Sequence, residues 1–132
     1  MGYEVGSLLA VGVFVFARVT GLDRDRAFYP TVAIVVASYY VLFAVMGGGG
    51  SPLWIELGAM MVFLAAAVAG FRFSLWFVAA ALVGHGVFDF FHAGLVTNGG
   101  VPIWWPPFCL SYDVVAGGCL AWLLWRGKLT AR

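Results

Sequence analysis

The sequence SLWFVAAALVGHGVFDFFHA, residues 74–93, decides the fold. These twenty residues contain no Lys, Arg or Glu, and a helix needs about 20 mostly apolar residues to cross a bilayer core. They also contain both histidines of the chain and an aspartate, and such groups are tolerated in a membrane only where they face protein or water. The stretch therefore predicts a transmembrane helix with one polar face directed at other helices.

The composition of the whole chain indicates a membrane protein. Of the 132 residues, 64% are hydrophobic and 10% are charged, whereas soluble domains carry charges on about a quarter of their residues. The formal net charge is only +1, and the sequence contains neither a basic patch nor a Gly-rich phosphate loop. We therefore expect the lipid bilayer as the main partner and no nucleic acid.

Four further apolar segments of similar length accompany this stretch. We predict an all-α, polytopic membrane protein with a single domain over residues 1–132 and five transmembrane helices at about 4–20, 27–46, 53–71, 74–93 and 104–125. Breaks rich in glycine, proline or charge separate the spans, such as GLDRDR at 21–26 and GGGGSP at 47–52. We expect the GLDRDR loop to be solvated, with its acidic and basic side chains pairing among themselves.

The basic residues indicate the direction of insertion. Lys and Arg favour the cytoplasmic side of a membrane, and all seven border or fill the first loop, the third loop or the C-terminal tail of the five-span topology. A four-span or six-span topology would scatter them over both sides. We therefore expect the N-terminus outside and the C-terminus in the cytoplasm.

A stripe of titratable groups marks the fourth span. His85, Asp89 and His92 fall within an arc of about 60°, because successive helical residues are about 100° apart. In the antiparallel topology, Glu56 and Asp113 from the two neighbouring spans lie in the same outer half of the membrane. Imidazole and carboxylate groups from separate helices are ligands for zinc, iron or copper. We predict a divalent-metal site with the stripe as ligands, zinc as the first expectation, and Glu56 or Asp113 as general base.

Three functions use these groups, and the sequence leaves all three open. A metal-bound water is a nucleophile at neutral pH, which predicts a metal-dependent enzyme acting on a lipid-like substrate that enters from the outer leaflet. The same acids and imidazoles suit a proton or cation transporter or relay. They also suit a structural or accessory protein in which a buried polar network only fixes helix packing. We expect Cys109 and Tyr40 to be packing residues.

Small residues recur every four positions in the first span, at Gly2, Gly6 and Ala10. A face of this kind lets helices approach closely in a membrane. We expect it to pack against another helix of the same chain, and a homodimer is the alternative use of such a face.

The segments GLDRDRAFYPTVAIVVASYY, GHGVFDFFH and PIWWPPFCLSYD together resemble a group of small bacterial integral membrane proteins. That resemblance implies a location in the bacterial cytoplasmic (inner) membrane and no particular activity. The H-x3-D spacing of His85 and Asp89 is similar to one motif of the alkaline ceramidase and adiponectin-receptor superfamily, which comprises seven-span intramembrane zinc hydrolases. Those proteins need a further H-x3-H on a late helix, which this chain lacks.

Overall fold

The computed structural model describes all 132 residues and contains helices but no strands. Five α-helices are long and apolar enough to cross a membrane. They are α1 Gly2–Thr20, α2 Phe28–Met46, α3 Ser51–Arg72, α4 Leu75–Leu95 and α5 Trp105–Trp125. Each boundary lies within two residues of its predicted position, so the predicted fold class and number of spans are confirmed.

Glycines and one serine set several helix boundaries. α1 ends at Gly21, whose φ of 81° lies in the left-handed region that glycine adopts without a steric penalty. The α2–α3 turn needs the same freedom three times in succession, at Gly48, Gly49 and Gly50, whose φ angles are 102°, 74° and 77°. The Ser74 side chain caps α4 by accepting a hydrogen bond from the Trp76 amide at 3.4 Å. These residues keep the connections short, so consecutive helices run antiparallel.

The bundle has two ends, which we name from the chain termini. The N-terminal face carries the start of α1, the α2–α3 turn at 47–50 and the α4–α5 loop at 96–104. The C-terminal face carries the α1–α2 loop at 21–27, the α3–α4 turn at 73–74 and the tail at 126–132. All seven basic residues therefore lie at or beside the C-terminal face.

The five helices follow the spatial order α1, α5, α4, α3, α2, and α2 also packs against α4. The most extensive packing is between α4 and α5. A Cβ atom placed on Gly86 would lie 3.2 Å from the Leu110 carbonyl oxygen, and one on Gly117 would lie 3.1 Å from the Ala79 carbonyl oxygen. Small residues permit such backbone approach in membrane bundles. The two glycines thus bring the polar faces of α4 and α5 together.

The small-residue face of α1 packs within the chain, as predicted. A Cβ atom on Gly6 would collide with Phe108 and Ser111 of α5, and Ala10 is buried. The face therefore seats α1 on α5.

The α1–α2 loop differs from the expectation of a solvated, self-paired loop. Asp23 is buried, and its Oδ2 lies 3.0 Å from Nη1 of Arg18. Arg26 donates hydrogen bonds to the backbone oxygens of Gly70, Phe71 and Ala131 at 2.7–3.2 Å. The expectation is wrong for these two residues because each finds a partner outside the loop. Asp23 pairs with Arg18 of α1, and Arg26 satisfies carbonyls at the end of α3 that have no partner within their own helix.

Candidate functional site

Four side chains of α4 and α5 converge inside the bundle and form what we call the cluster. Its members are His85 and Asp89 of α4 and Cys109 and Asp113 of α5, all of them buried. Each residue contributes one atom that can bind a metal, namely an imidazole nitrogen, a thiol sulfur or a carboxylate oxygen, and these four atoms all lie within 4.8 Å of one another. The spacing i, i+4 occurs twice, and it places both residues of each helix on the same face.

The members of the cluster contact one another through the Asp113 carboxylate. His85 Nδ1 lies 2.6 Å from Asp113 Oδ2 and 3.6 Å from Asp89 Oδ2. Cys109 Sγ lies 3.6 Å from the same Asp113 oxygen, within the reach of a thiol donor. An ionised carboxylate only accepts hydrogen bonds, so with Asp113 ionised the donor in the short contact is Nδ1 of His85.

Two carboxylate oxygens of the cluster have no hydrogen-bond partner. These are Asp89 Oδ2 and Asp113 Oδ1, which are buried in side chains that are 1% and 0% exposed. A buried charged oxygen without a partner costs considerable free energy. The hydrogen bonds inside the cluster therefore do not by themselves satisfy its two acids.

Tyr40 of α2 holds the other oxygen of Asp89. Its hydroxyl donates a hydrogen bond to Asp89 Oδ1 at 2.7 Å, and both side chains are buried. Partners of this kind fix the orientation of ligating carboxylates in metal sites. Tyr40 therefore has a positioning role in addition to the packing role expected from the sequence.

A second polar group, which we call the Glu56–His92 pair, lies nearer the N-terminal face. His92 Nε2 is 2.9 Å from both carboxylate oxygens of Glu56, and Asn98 Nδ2 donates to Glu56 Oε2 at 3.2 Å. The His92 ring also stacks on the Tyr40 ring, with centroids 3.8 Å apart. Tyr40 thus stands between this pair and the cluster.

The structure divides the five predicted site residues between these two groups. His85 and Asp89, predicted as ligands, meet Asp113, predicted as a general base, whereas His92 is paired with Glu56. Their individual roles stay predictions. Sequence reasoning missed Cys109 as a member of the cluster, Tyr40 as its neighbour and Asn98 as a partner of Glu56. A signal for Cys109 was present, because CLSYD at 109–113 repeats on α5 the i, i+4 spacing of His85 and Asp89 on α4.

The cluster extends from the middle of the spanning helices toward the N-terminal face. His85 is the eleventh of the 21 residues of α4, and Asp113 is the ninth of the 21 residues of α5. At 1.5 Å per residue, His85 is about 15 Å from either end of its helix. Asp89, Asp113 and Cys109 lie on the N-terminal-face side of this level, in the half of the bundle that the topology predicts to be outer. Toward the C-terminal face the core is apolar and includes the fully buried Val78, Leu82 and Leu120.

No family model, curated protein or solved structure matches the chain. The class of protein is defined by its fold and by the cluster. The chain is a helical membrane protein with a buried His/Asp/Cys cluster that could hold a metal ion.

Proposed function

We propose that the protein is a metal-binding membrane protein that holds one divalent ion between α4 and α5. The observation that carries this proposal is the cluster itself, in which four ligand-type atoms lie within 4.8 Å of one another. Imidazole, thiolate and carboxylate are the three ligand types of zinc sites in proteins. Zinc is therefore the first expectation, followed by iron or copper, which imidazole and thiolate also suit.

Charge balance supports a bound cation. Asp89 and Asp113 carry two negative charges when ionised, and His85 compensates at most one of them. With Cys109 bound as a thiolate, the ligand set carries three negative charges, of which a divalent cation offsets two, and the cation would also bind the two carboxylate oxygens that lack partners. A network that serves only helix packing would leave those oxygens buried and unsatisfied, which is why we favour the metal over the purely structural function.

The surroundings of the cluster favour a metal-dependent enzyme with a lipid-like substrate. The cluster lies within the membrane-spanning parts of α4 and α5, where hydrocarbon surrounds the bundle. A bound metal would supply a polarised carbonyl or an activated water. Asp113 would be a ligand in this arrangement. Glu56 keeps the predicted role of general base, although its present hydrogen-bond partners are His92 and Asn98.

A proton or cation relay is supported less well by the geometry. Polar side chains extend from Asn98 near the N-terminal face to the cluster. Between the cluster and the C-terminal face, the core instead contains Val78, Leu82 and Leu120, which expose 0% of their surface. An ion would have to cross that apolar layer, and hydrocarbon surroundings make such a crossing expensive.

The distribution of charge supports an orientation for this function. Because the basic residues lie at the C-terminal face, the proposal places that face in the cytoplasm, in agreement with the preference of Lys and Arg for that side. The resemblance to small bacterial membrane proteins supports the bacterial inner membrane as the location.

Elemental analysis of the purified protein tests the proposal. We expect about one zinc, iron or copper ion per chain in the wild type and its loss in His85→Ala. The chain offers matched controls, since His92→Ala removes the other histidine and Cys119→Ser the other cysteine, and neither residue belongs to the cluster. Both controls should keep the metal, and Cys109→Ser should weaken its binding. A metal-free wild type, or equal loss in His85→Ala and His92→Ala, would refute the proposal.

A further inference from the structure

A cavity that we call the basic pocket lies at the C-terminal face, between the α1–α2 loop and the C-terminal tail. Its volume is about 360 Å³, which is within the range of small-ligand pockets. Four of the seven basic residues of the chain line it together with a single acid. These residues are Arg24, Arg26, Lys128, Arg132 and Asp23. Positive charge is therefore concentrated in one cavity and is not spread evenly over the face.

Hydrogen bonds hold the tail in place beside the loop. The Ala131 carbonyl oxygen accepts from the Leu75 amide at 2.8 Å and from Arg26 Nη2 at 3.0 Å. The Lys128 amide donates to the Leu123 carbonyl oxygen at 2.8 Å. The backbone that carries the tail residues of the pocket is thus already ordered, and a preorganised site binds more tightly because less entropy is lost on binding.

The positive charges of the basic pocket lack compensating acids. The three hydrogen bonds of the Arg26 side chain all go to neutral backbone carbonyls, so its charge is not cancelled. Asp23 is already paired with Arg18 of α1, at 3.0 Å. The other three basic residues of the pocket are exposed and take part in no ion pair, namely Arg24, Lys128 and Arg132.

An anion in the basic pocket would relieve the repulsion among these charges. A sphere of the pocket's volume is about 9 Å across, close to the distance of about 8 Å over which physiological salt screens charges. The repulsion is therefore only partly screened. Guanidinium groups match the geometry of phosphate oxygens, and a lysine ammonium adds a further point charge. Phosphate is thus the anion that this set of side chains suits best.

The position of the basic pocket favours a phosphate that belongs to a lipid. Leu75, which also lines the pocket, is the first residue of the spanning helix α4. The pocket therefore lies where the spanning helices end, at the level of the lipid headgroups. The positive end of the α4 dipole adds to the potential at this point. Basic pockets at such positions bind acidic headgroups in membrane proteins.

We propose that the basic pocket binds the phosphate of an anionic phospholipid headgroup in the leaflet of the C-terminal face. Arg24 from the loop and Lys128 from the tail contact the phosphate, whereas Arg26 holds the tail in place and adds charge. The apolar layer of Val78 and Leu82 separates this site from the cluster. Lipid binding is therefore independent of the metal and does not rest on the function proposed above.

Native mass spectrometry of the full chain in a nonionic detergent counts bound lipids and tests the proposal. The probes are phosphatidylglycerol and zwitterionic phosphatidylcholine with the same acyl chains. We expect the first phosphatidylglycerol to bind about tenfold more tightly or better, because only its headgroup carries a net negative charge. The difference should shrink as salt is raised, since salt screens exposed charges. Equal binding of the two lipids would overturn the proposal.

Paired substitutions separate the basic pocket from the charge of the whole face. Arg24→Gln with Lys128→Gln should weaken phosphatidylglycerol binding about 25-fold, since each basic side chain near an acidic headgroup contributes about fivefold. Arg72→Gln with Arg126→Gln is the matched control, because it removes the same charge from exposed positions of the same face outside the pocket. The control should weaken binding about twofold at most. Equal weakening in the two double variants would overturn the pocket as the binding site.

Two further measurements complete the test. The charge-conserving Arg24→Lys with Lys128→Arg should retain most of the binding, and the single variants carry the test if the double glutamine variant does not fold. Inorganic phosphate at the same concentration as the lipid should not displace phosphatidylglycerol, because it lacks the chains that keep the headgroup at the membrane surface. Displacement under these conditions would assign the pocket to a free anion and overturn the lipid as its ligand.

Discussion

Replacing Tyr40 with Phe removes a single hydroxyl and tests whether the residue positions a metal ligand. In the wild type this hydroxyl donates to Asp89 Oδ1 at 2.7 Å inside a buried environment. The substitution leaves the ring in place, including its stacking on His92. It therefore changes one hydrogen bond and little of the packing.

The structure allows the size of the effect to be worked out. Loss of a partner that orients a metal ligand typically lowers metal affinity about 10–100-fold, which corresponds to about 1.4–2.8 kcal/mol. Loss of a hydrogen bond to a charged group costs about 1.5–3 kcal/mol of folding free energy. Tyr40→Phe should therefore weaken metal binding by one to two orders of magnitude and lower the unfolding temperature.

Tyr29 provides the matched control for this experiment. It is buried like Tyr40, but its hydroxyl has no hydrogen-bond partner. Tyr29→Phe should leave metal affinity unchanged and should be neutral or slightly stabilising, since it removes an unsatisfied polar atom. The assay is a competition titration of zinc against a chelating dye in detergent, together with thermal unfolding of the same samples. Equal metal affinity in the two variants would refute the reasoning.

Three further predictions concern the packing of α4 on α5, the Glu56–His92 pair and the C-terminal tail. Gly86→Ala should lower the unfolding temperature because its Cβ would lie 2.9 Å from Val114 Cγ2. Gly84→Ala is the matched control, since its Cβ would meet no atom closer than 4.0 Å. This control should raise the unfolding temperature slightly, because alanine favours the helix more than glycine does. Glu56→Gln should lower the unfolding temperature because it disrupts the buried hydrogen bonds of Glu56 with His92 and Asn98. It should leave metal content unchanged, and loss of the metal would contradict the division into two groups. Arg26→Ala should loosen the C-terminal tail and speed its proteolysis because the side chain links the carbonyl of Ala131 in the tail to those of Gly70 and Phe71 at the end of α3, and the same rate as in an Arg24→Ala control would contradict this.

The fold could be predicted from the sequence because its signals are local. Apolar segments of spanning length, glycine-rich breaks and the distribution of basic residues each act over a few residues, and together they defined five helices. The loop at 21–26 could not be predicted in the same way. Arg26 bonds to carbonyls more than 40 residues away, and the sequence does not show which helix end will be nearby.

The site could be predicted only in part for a related reason. Helical spacing placed His85, Asp89 and His92 on one face of α4, but it did not determine which partner each side chain meets. Those partners depend on the relative heights of the helices, which put Glu56 level with His92 and Asp113 level with His85. Cys109 taken alone resembles a packing residue, and only its i, i+4 spacing from Asp113 indicates membership of the cluster.

X-ray absorption spectroscopy of the metal-loaded wild type tests the central claim most directly, because it identifies the atoms bound to the metal. For zinc in the cluster, we predict one sulfur at about 2.3 Å and nitrogen or oxygen ligands at about 2.0–2.1 Å. The sulfur contribution should be absent in Cys109→Ser and present in Cys119→Ser. A wild-type spectrum with nitrogen and oxygen ligands alone would contradict the cluster as the metal site.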